Sequence, residues 1–191
     1  MPRVVVIGGI NGAGKTTASM ELLRNVLGIP VFANADAIAR GLNSLNPEAE
    51  AFRAGRIMLE WMNDLADAGR DFAFETTLAA RTYASWLERL KEMGYEVLLY
   101  YYWLSSPEVA IGRVGLRVQS GGHNIPEQDI RRRYGRSVRN FLELYRPVAD
   151  EWEVFDNTDG QRRLIGMGSN RNEAYESQEI WTQFQESGSH E

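Results

Sequence analysis

Gly9-Ile10-Asn11-Gly12-Ala13-Gly14-Lys15-Thr16 has the spacing G-x-x-x-x-G-K-[ST]. That is the pattern of a loop that wraps phosphate groups in backbone N–H donors. The glycines let the chain turn tightly and aim its amides inward. Lys15 carries a compact ammonium that reaches the β- and γ-phosphates of a nucleotide, and the Thr16 hydroxyl suits Mg2+. Thr17 continues the same nucleotide-binding stretch. Lys15 and Lys91 are the only lysines of the chain; every other basic side chain is arginine. A lysine in the loop fits a site that needs a point charge rather than a planar fork.

Three further places carry side chains fit for chemistry. Asp36 follows an extended run, in Asn34-Ala35-Asp36. A carboxylate there can take a proton from an attacking hydroxyl or hold Mg2+ through water; it can equally cap a helix over residues 37–42. Glu75 precedes Thr76-Thr77 and is suited to binding a substrate hydroxyl, to orienting Mg2+ through water, or to a turn. The third place is the arginine-rich stretch 113–139. Arg113 and Arg117 are one helical turn apart and share a face. Such a pair can neutralise the charge of a transferring phosphoryl group. Further on, Ile130, Tyr134, Val138, Phe141 and Tyr145 form one apolar stripe. Arg132, Arg136 and Arg139 fall opposite it as a solvated face, while Arg131 and Arg133 flank it and can reach inward. Gly121-Gly122-His123 hinges the two helices, as a lid would require. Asn157 sits where a loop would touch a nucleotide base, or where a turn would bond its own backbone.

These residues need a scaffold that gathers them. Apolar and helical segments alternate along the chain, which predicts an α/β fold, a parallel sheet with helices on both faces. Strands are expected at 3–8, 30–34, 71–75, 96–104 and 153–156, the last being the final strand. Helices are expected at 16–27, 47–68 and 82–93, from Pro107 onward, and from Pro126 to about residue 146. In such sheets ligands lie beyond the carboxyl ends of the strands, so the glycine loop, Asp36 and Glu75 should share one edge. The chain divides into a P-loop domain over 1–168, with a helical lid at about 107–146, and a polar tail over 169–191. That tail is expected to be partly disordered, although Ile180, Trp181 and Phe184 suit a docking helix.

Bulk composition narrows the function. With 191 residues and a net charge of −5, a general nucleic-acid surface is disfavoured. The absence of cysteine excludes disulfides, zinc thiolates and thiol catalysis. The early apolar run over 4–10 is too short for a membrane span and lacks signal-peptide form. No membrane role is expected, and the cytoplasm is the simplest location.

Taken in order, GGINGAGKTT, NADAIARGL, FETTL, SSPEVAIGRV, RVQSGGHNIPEQDIRRRY and FDNT resemble the zeta-toxin-like P-loop kinases over residues 4–158. The resemblance implies a nucleoside-kinase-like P-loop fold with three layers and ATP- and Mg2+-dependent phosphorylation of a small-molecule hydroxyl. The family's toxins use the 3′-hydroxyl of UDP-N-acetylglucosamine and related UDP-sugars. By this resemblance Asp36 is the base, Glu75 and Thr77 contact the acceptor, and the lid arginines map onto Arg117 and the position of His123. A toxin would also imply a small antitoxin partner covering the nucleotide site. With Arg131, which flanks the apolar stripe, the expected substrate-binding set is Asp36, Glu75, Thr77, His123 and Arg131.

Two alternatives remain open at this point. One is a kinase for another metabolite or an antibiotic, with no toxin role. The other belongs to a different class, a nucleotide-binding switch or a nucleic-acid-associated ATPase. The chain lacks the N-K-x-D run of a guanine-reading switch.

Overall fold

The computed structural model describes residues 1–122, 124–169 and 172–189. Strand β1 (Arg3–Gly9) is the centre of a seven-stranded sheet of order β2-β3-β1-β4-β5-β6-β7. Val4, Val5, Val6 and Ile7 are all fully buried, so both faces of the strand are covered. That is why its sequence is a continuous apolar run rather than an alternating one. β2 (Phe32–Ala33), β3 (Phe72–Glu75), β4 (Glu96–Trp103) and β5 (Glu151–Asp156) complete the parallel part.

Helices α1 (Lys15–Glu21), α2 (Ala35–Leu42), α3 (Ala51–Asp67), α4 (Thr82–Glu92), α5 (Pro107–Gln119) and α6 (Glu127–Asn140) link these strands. Local chemistry sets their starts. The Ser106 side chain accepts from the Val109 amide with Pro107 in the first turn, and the Asn34 side chain accepts from the Ala37 amide, both satisfying otherwise unpaired N–H groups. α1 and α6 each run on into a π-helical segment, Leu22–Leu27 and Phe141–Tyr145, where single α-helices were expected.

The parallel ladder brings the ends of β1, β2, β3 and β5 to one edge. Ile7 pairs with Glu75, Ala33 with Phe74, Gly9 with Tyr102 and Trp103 with Asp156. The glycine loop, Asp36, Glu75 and Asn157 therefore emerge side by side, at the edge where ligands of open α/β sheets sit.

The sheet corrects the sequence reading at its far side. The strand at 153–156 is not the last one. β6 (Arg163–Ser169) and β7 (Glu173–Tyr175) add antiparallel pairs beyond β5, so the sheet is mostly parallel rather than wholly so. β6, which holds Gly166 and Gly168, was not expected from the sequence. A Cβ at Gly166 would lie 2.7 Å from the Trp181 ring, and one at Gly168 2.6 Å from the Trp152 ring. These glycines make room for indoles instead of breaking a strand. Helix α7 (Gln178–Ser187) follows, capped by Ser177, with Trp181 and Phe184 fully buried. Trp181 stacks on Trp152, and Phe184 packs against Tyr101, Trp103 and Phe141.

Candidate active site

The loop after β1 is shaped by its glycines. Gly9 has φ +135°, and a Cβ there would lie 2.1 Å from the Tyr102 carbonyl oxygen, so no other residue fits. Gly14 takes the left-handed conformation at the start of α1 with no side-chain cap. The first-turn amides of α1 are thus left for a ligand rather than for a serine or aspartate. Ala13 is buried, and its carbonyl accepts from Asn157 Nδ2 at 2.8 Å. A Cβ on Gly14 would come within 3.0 Å of that same nitrogen. Asn157 therefore braces the loop from the end of β5.

Lys15 is buried, and its Nζ donates to the carbonyls of Gly9 at 3.0 Å and Ile10 at 2.9 Å. Burial pushes its pKa down; Glu75 and then Asp36 oppose the shift, and Arg117 adds to it. The ammonium thus sits in a field made by two carboxylates and a guanidinium, all within electrostatic reach.

Glu75 links three elements. Its Oε2 accepts from Thr16 Oγ1 at 2.8 Å and from Asn34 Nδ2 at 2.9 Å. Asn34 also caps α2, so the cap reading of Asp36 does not hold. Asp36 lies in the first turn with its carboxylate at the cleft. Asn34 was missed in the sequence, although an Asn before an apolar-periodic segment is a capping signal.

The cleft has two lobes. One, of about 440 Å3, is lined by Gly14, Thr16, Thr17 and Arg113. The other, of about 430 Å3, is lined by Asn11, Thr76, Thr77, Tyr83 and Arg133. Lys15, Asp36, Glu75 and Arg117 line both. They mark the junction between the lobes.

The remaining expected residues fall out as follows. Arg113 lines the first lobe, but its Nη2 also donates to the Thr158 carbonyl at 3.2 Å, tying α5 to the turn after β5. Arg131 does not line the cleft. It is exposed and pairs with Glu108 at 2.6 Å and Glu127 at 2.7 Å. The Glu127–Arg131 spacing of four is itself a signal for a surface ion pair. Arg133 is the member of that pair of arginines that reaches the cleft. Arg132 is tied to Asp129 at 2.6 Å. Asn157 lines neither lobe. His123 lies outside the described residues.

Mg2+ prefers oxygen ligands and is held by one or two carboxylates together with substrate phosphates. The Thr16 hydroxyl and the Glu75 carboxylate, in contact with each other and beside Asp36, fit that demand. No group of three or more His, Cys, Asp or Glu side chains able to cage a metal occurs among the described residues.

The family model described as zeta toxin matches residues 1–167. The chain belongs to the zeta toxin family. An uncharacterized protein of Haemophilus influenzae is 30% identical over 66% of this chain and 88% of its own length. Among solved structures, a chain of the AvrRxo1-ORF1:AvrRxo1-ORF2 complex with sulphate ions superposes with a TM-score of 0.79 at 14% identity over 97% of this chain. The zeta toxin chain described here spans 64% of the length of that chain. A related structure of the same complex contains ATP. A chain from the PezAT toxin–antitoxin system of Streptococcus pneumoniae superposes with a TM-score of 0.66 at 18% identity over all of this chain and 86% of its own. At these identities the structural matches establish a shared fold. Among the described residues no helix of this zeta toxin family member is long and apolar enough to cross a membrane.

Proposed function

We propose that the protein is a kinase that moves the γ-phosphoryl group of ATP to a hydroxyl of a small molecule. The observation that carries this reading is the junction at Lys15, Asp36, Glu75 and Arg117, shared by two lobes of similar volume that both border the glycine loop, one taking in Gly14, Thr16 and Thr17 and the other Thr76, Thr77 and Arg133. A phosphoryl group held there is in reach of both lobes, and phosphoryl transfer needs little beyond positioning and charge stabilisation.

The loop amides, Lys15 and Thr17 grip the polyphosphate. Thr16, Glu75 and, through water, Asp36 would hold Mg2+. When bound, the ion neutralises phosphate charge. Asp36 accepts the proton of the acceptor hydroxyl. Arg117 neutralises charge on the transferring group, while Arg113 secures α5 over the nucleotide lobe. Thr77 and Arg133 contact the acceptor. Asn157 acts on the nucleotide indirectly, through the Ala13 carbonyl.

Family membership makes UDP-N-acetylglucosamine the first acceptor to test. The toxin–antitoxin context of the PezAT relative supports a small antitoxin as a partner in the same reading. The exposed arginines give little support to a nucleic-acid role, because Arg131 and Arg132 are occupied by Glu108, Glu127 and Asp129.

The test is incubation of the protein with Mg2+, ATP and either UDP-N-acetylglucosamine or a bacterial metabolite extract, followed by mass spectrometry. A species that gains one phosphate is expected. Absence of any phosphorylated product, with folded protein, overturns the kinase reading.

A further inference from the structure

The turn after β3, which carries Thr76 and Thr77 from Glu75 into the acceptor lobe, is held in an unusual way. Leu78 has φ +58° and is the one non-glycine in the left-handed region among the described residues. It is fully buried against Gly8, where a Cβ would lie 2.7 Å from its Cδ1. A branched side chain in that conformation persists only when its surroundings fix it.

The fixing groups come from α6 and its π-helical extension. Asn140 Nδ2 donates to the Leu78 carbonyl at 2.7 Å. Ser137 Oγ donates to the Thr77 carbonyl, and the Tyr145 hydroxyl donates to the Ala80 carbonyl. Ser137 spends its one proton on Thr77, so the Tyr101 hydroxyl, 2.7 Å away, is the donor to Ser137. Burial raises the Tyr101 pKa far above the ordinary tyrosine value, which keeps that proton in place.

The π segment matters to this arrangement. On a continuing α-helix, Tyr145 would lie about 140° around from Asn140. The wider turn, closed by the Arg146 amide on the Phe141 carbonyl at 2.8 Å, returns residues five apart to one face. One turn before Ser137, the same helix sends Arg133 into the acceptor lobe. A single helix thus supplies Arg133 to the lobe and, from the next turns, grips the turn that carries Thr77 into it.

We propose that Ser137, Asn140 and Tyr145 are positioning residues for the acceptor. They fix the 77–80 turn so that Thr77, Glu75 and Arg133 keep one spacing across the acceptor lobe. This rests on the kinase reading above. A misplacement of about 1 Å costs on the order of a hundredfold in rate, so a loosened clamp shows first in the transfer step.

The test compares the double variant Ser137→Ala/Tyr145→Phe with Tyr134→Phe. Tyr134 is a buried residue of the same helix whose hydroxyl donates to Leu104 at 2.7 Å, away from the turn. Each protein is assayed for MgATP affinity, for phosphoryl transfer to UDP-N-acetylglucosamine and to a metabolite extract, and for amide hydrogen exchange at 76–80.

In the double variant, transfer should fall about tenfold or more, with acceptor KM raised, MgATP Kd within twofold, and faster exchange confined to 76–80. Tyr134→Phe should retain transfer. Equal losses in both proteins, or unchanged exchange at 76–80 in the double variant, would make the three groups merely structural and overturn the proposal. A wild-type protein that transfers to nothing sinks the kinase reading and this role together, whereas an active wild type with an equally active double variant sinks this role alone.

Discussion

Asn157 and Ala13 stand 144 positions apart in the chain, yet the Asn157 amide nitrogen donates to the Ala13 carbonyl at 2.8 Å. This bond ties the end of β5 to the middle of the glycine loop. A loop that must present its amides to a polyphosphate gains from a brace that sets its shape before the ligand arrives.

Replacing Asn157 by Ala leaves the Ala13 carbonyl without that donor, at a cost of about 1–3 kcal/mol. The expected result is a Kd for MgATP weakened about tenfold, measured by calorimetry. Affinity within twofold of the parent would mean that the brace is irrelevant to the nucleotide.

Asp36 and Asn34 are two residues apart and should respond differently. Asp36→Asn is expected to bind MgATP normally, keep its melting temperature, and lose about 10²–10⁴ in kcat, the scale of a lost general base. Asn34→Ala removes the cap of α2 and a donor to Glu75, so it should lose about 1 kcal/mol of stability. Thermal unfolding and steady-state assays run side by side check both. A destabilised but active Asp36→Asn would reverse the two assignments.

Lys15 makes nucleotide affinity depend on pH. Its pKa lies below the ordinary lysine value in the free protein because it is buried, and a bound polyphosphate must raise it. Binding therefore takes up a proton wherever the free Lys15 is partly neutral, and affinity falls as pH rises through the free-protein pKa toward the ordinary lysine range. The sign for stability is opposite. A lysine pKa lowered on folding penalises the fold at low pH, and the penalty lifts as pH rises. Calorimetry of MgATP binding from pH 7 to pH 10, in buffers of different ionisation enthalpy, measures the proton uptake. Uptake that persists in Lys15→Met assigns it elsewhere.

Phe184 tests whether α7 belongs to the core. It is fully buried among Tyr101, Trp103, Phe141 and Trp181. Phe184→Ala should cost about 3–5 kcal/mol, read from denaturant midpoints. A loss under about 1 kcal/mol would mark α7 as a loosely attached appendage, well below the usual cost of a buried aromatic deletion.

The chain by itself determined the central architecture and the phosphate loop. Val4 to Ile7 are apolar without alternation, β-branched and followed by glycines, which fits a strand covered on both faces, and the loop spacing from Gly9 to Thr16 carries its chemistry within eight consecutive residues. Such signals are local, so they survive without knowledge of the fold. Parallel topology then implied that Asp36 and Glu75 would share the loop's edge, because strand direction alone decides where strands end.

What the tertiary structure decided are the relationships that depend on distant atoms. Arg133, not Arg131, enters the cleft, because Glu108 and Glu127 hold Arg131 on the surface. Asn34, not Asp36, caps α2, because its side chain lies between the Ala37 amide and Glu75. Gly166 and Gly168 belong to a strand, since two indoles occupy the space their side chains would need. Ile180, Trp181 and Phe184 marked a docking helix in the tail, but the aromatic partners that seat it, Tyr101, Trp103, Phe141 and Trp152, are gathered only by the fold. In each case the choice rests on a neighbour more than ten residues away or on a competition for one hydrogen bond, and neither is written in local sequence pattern.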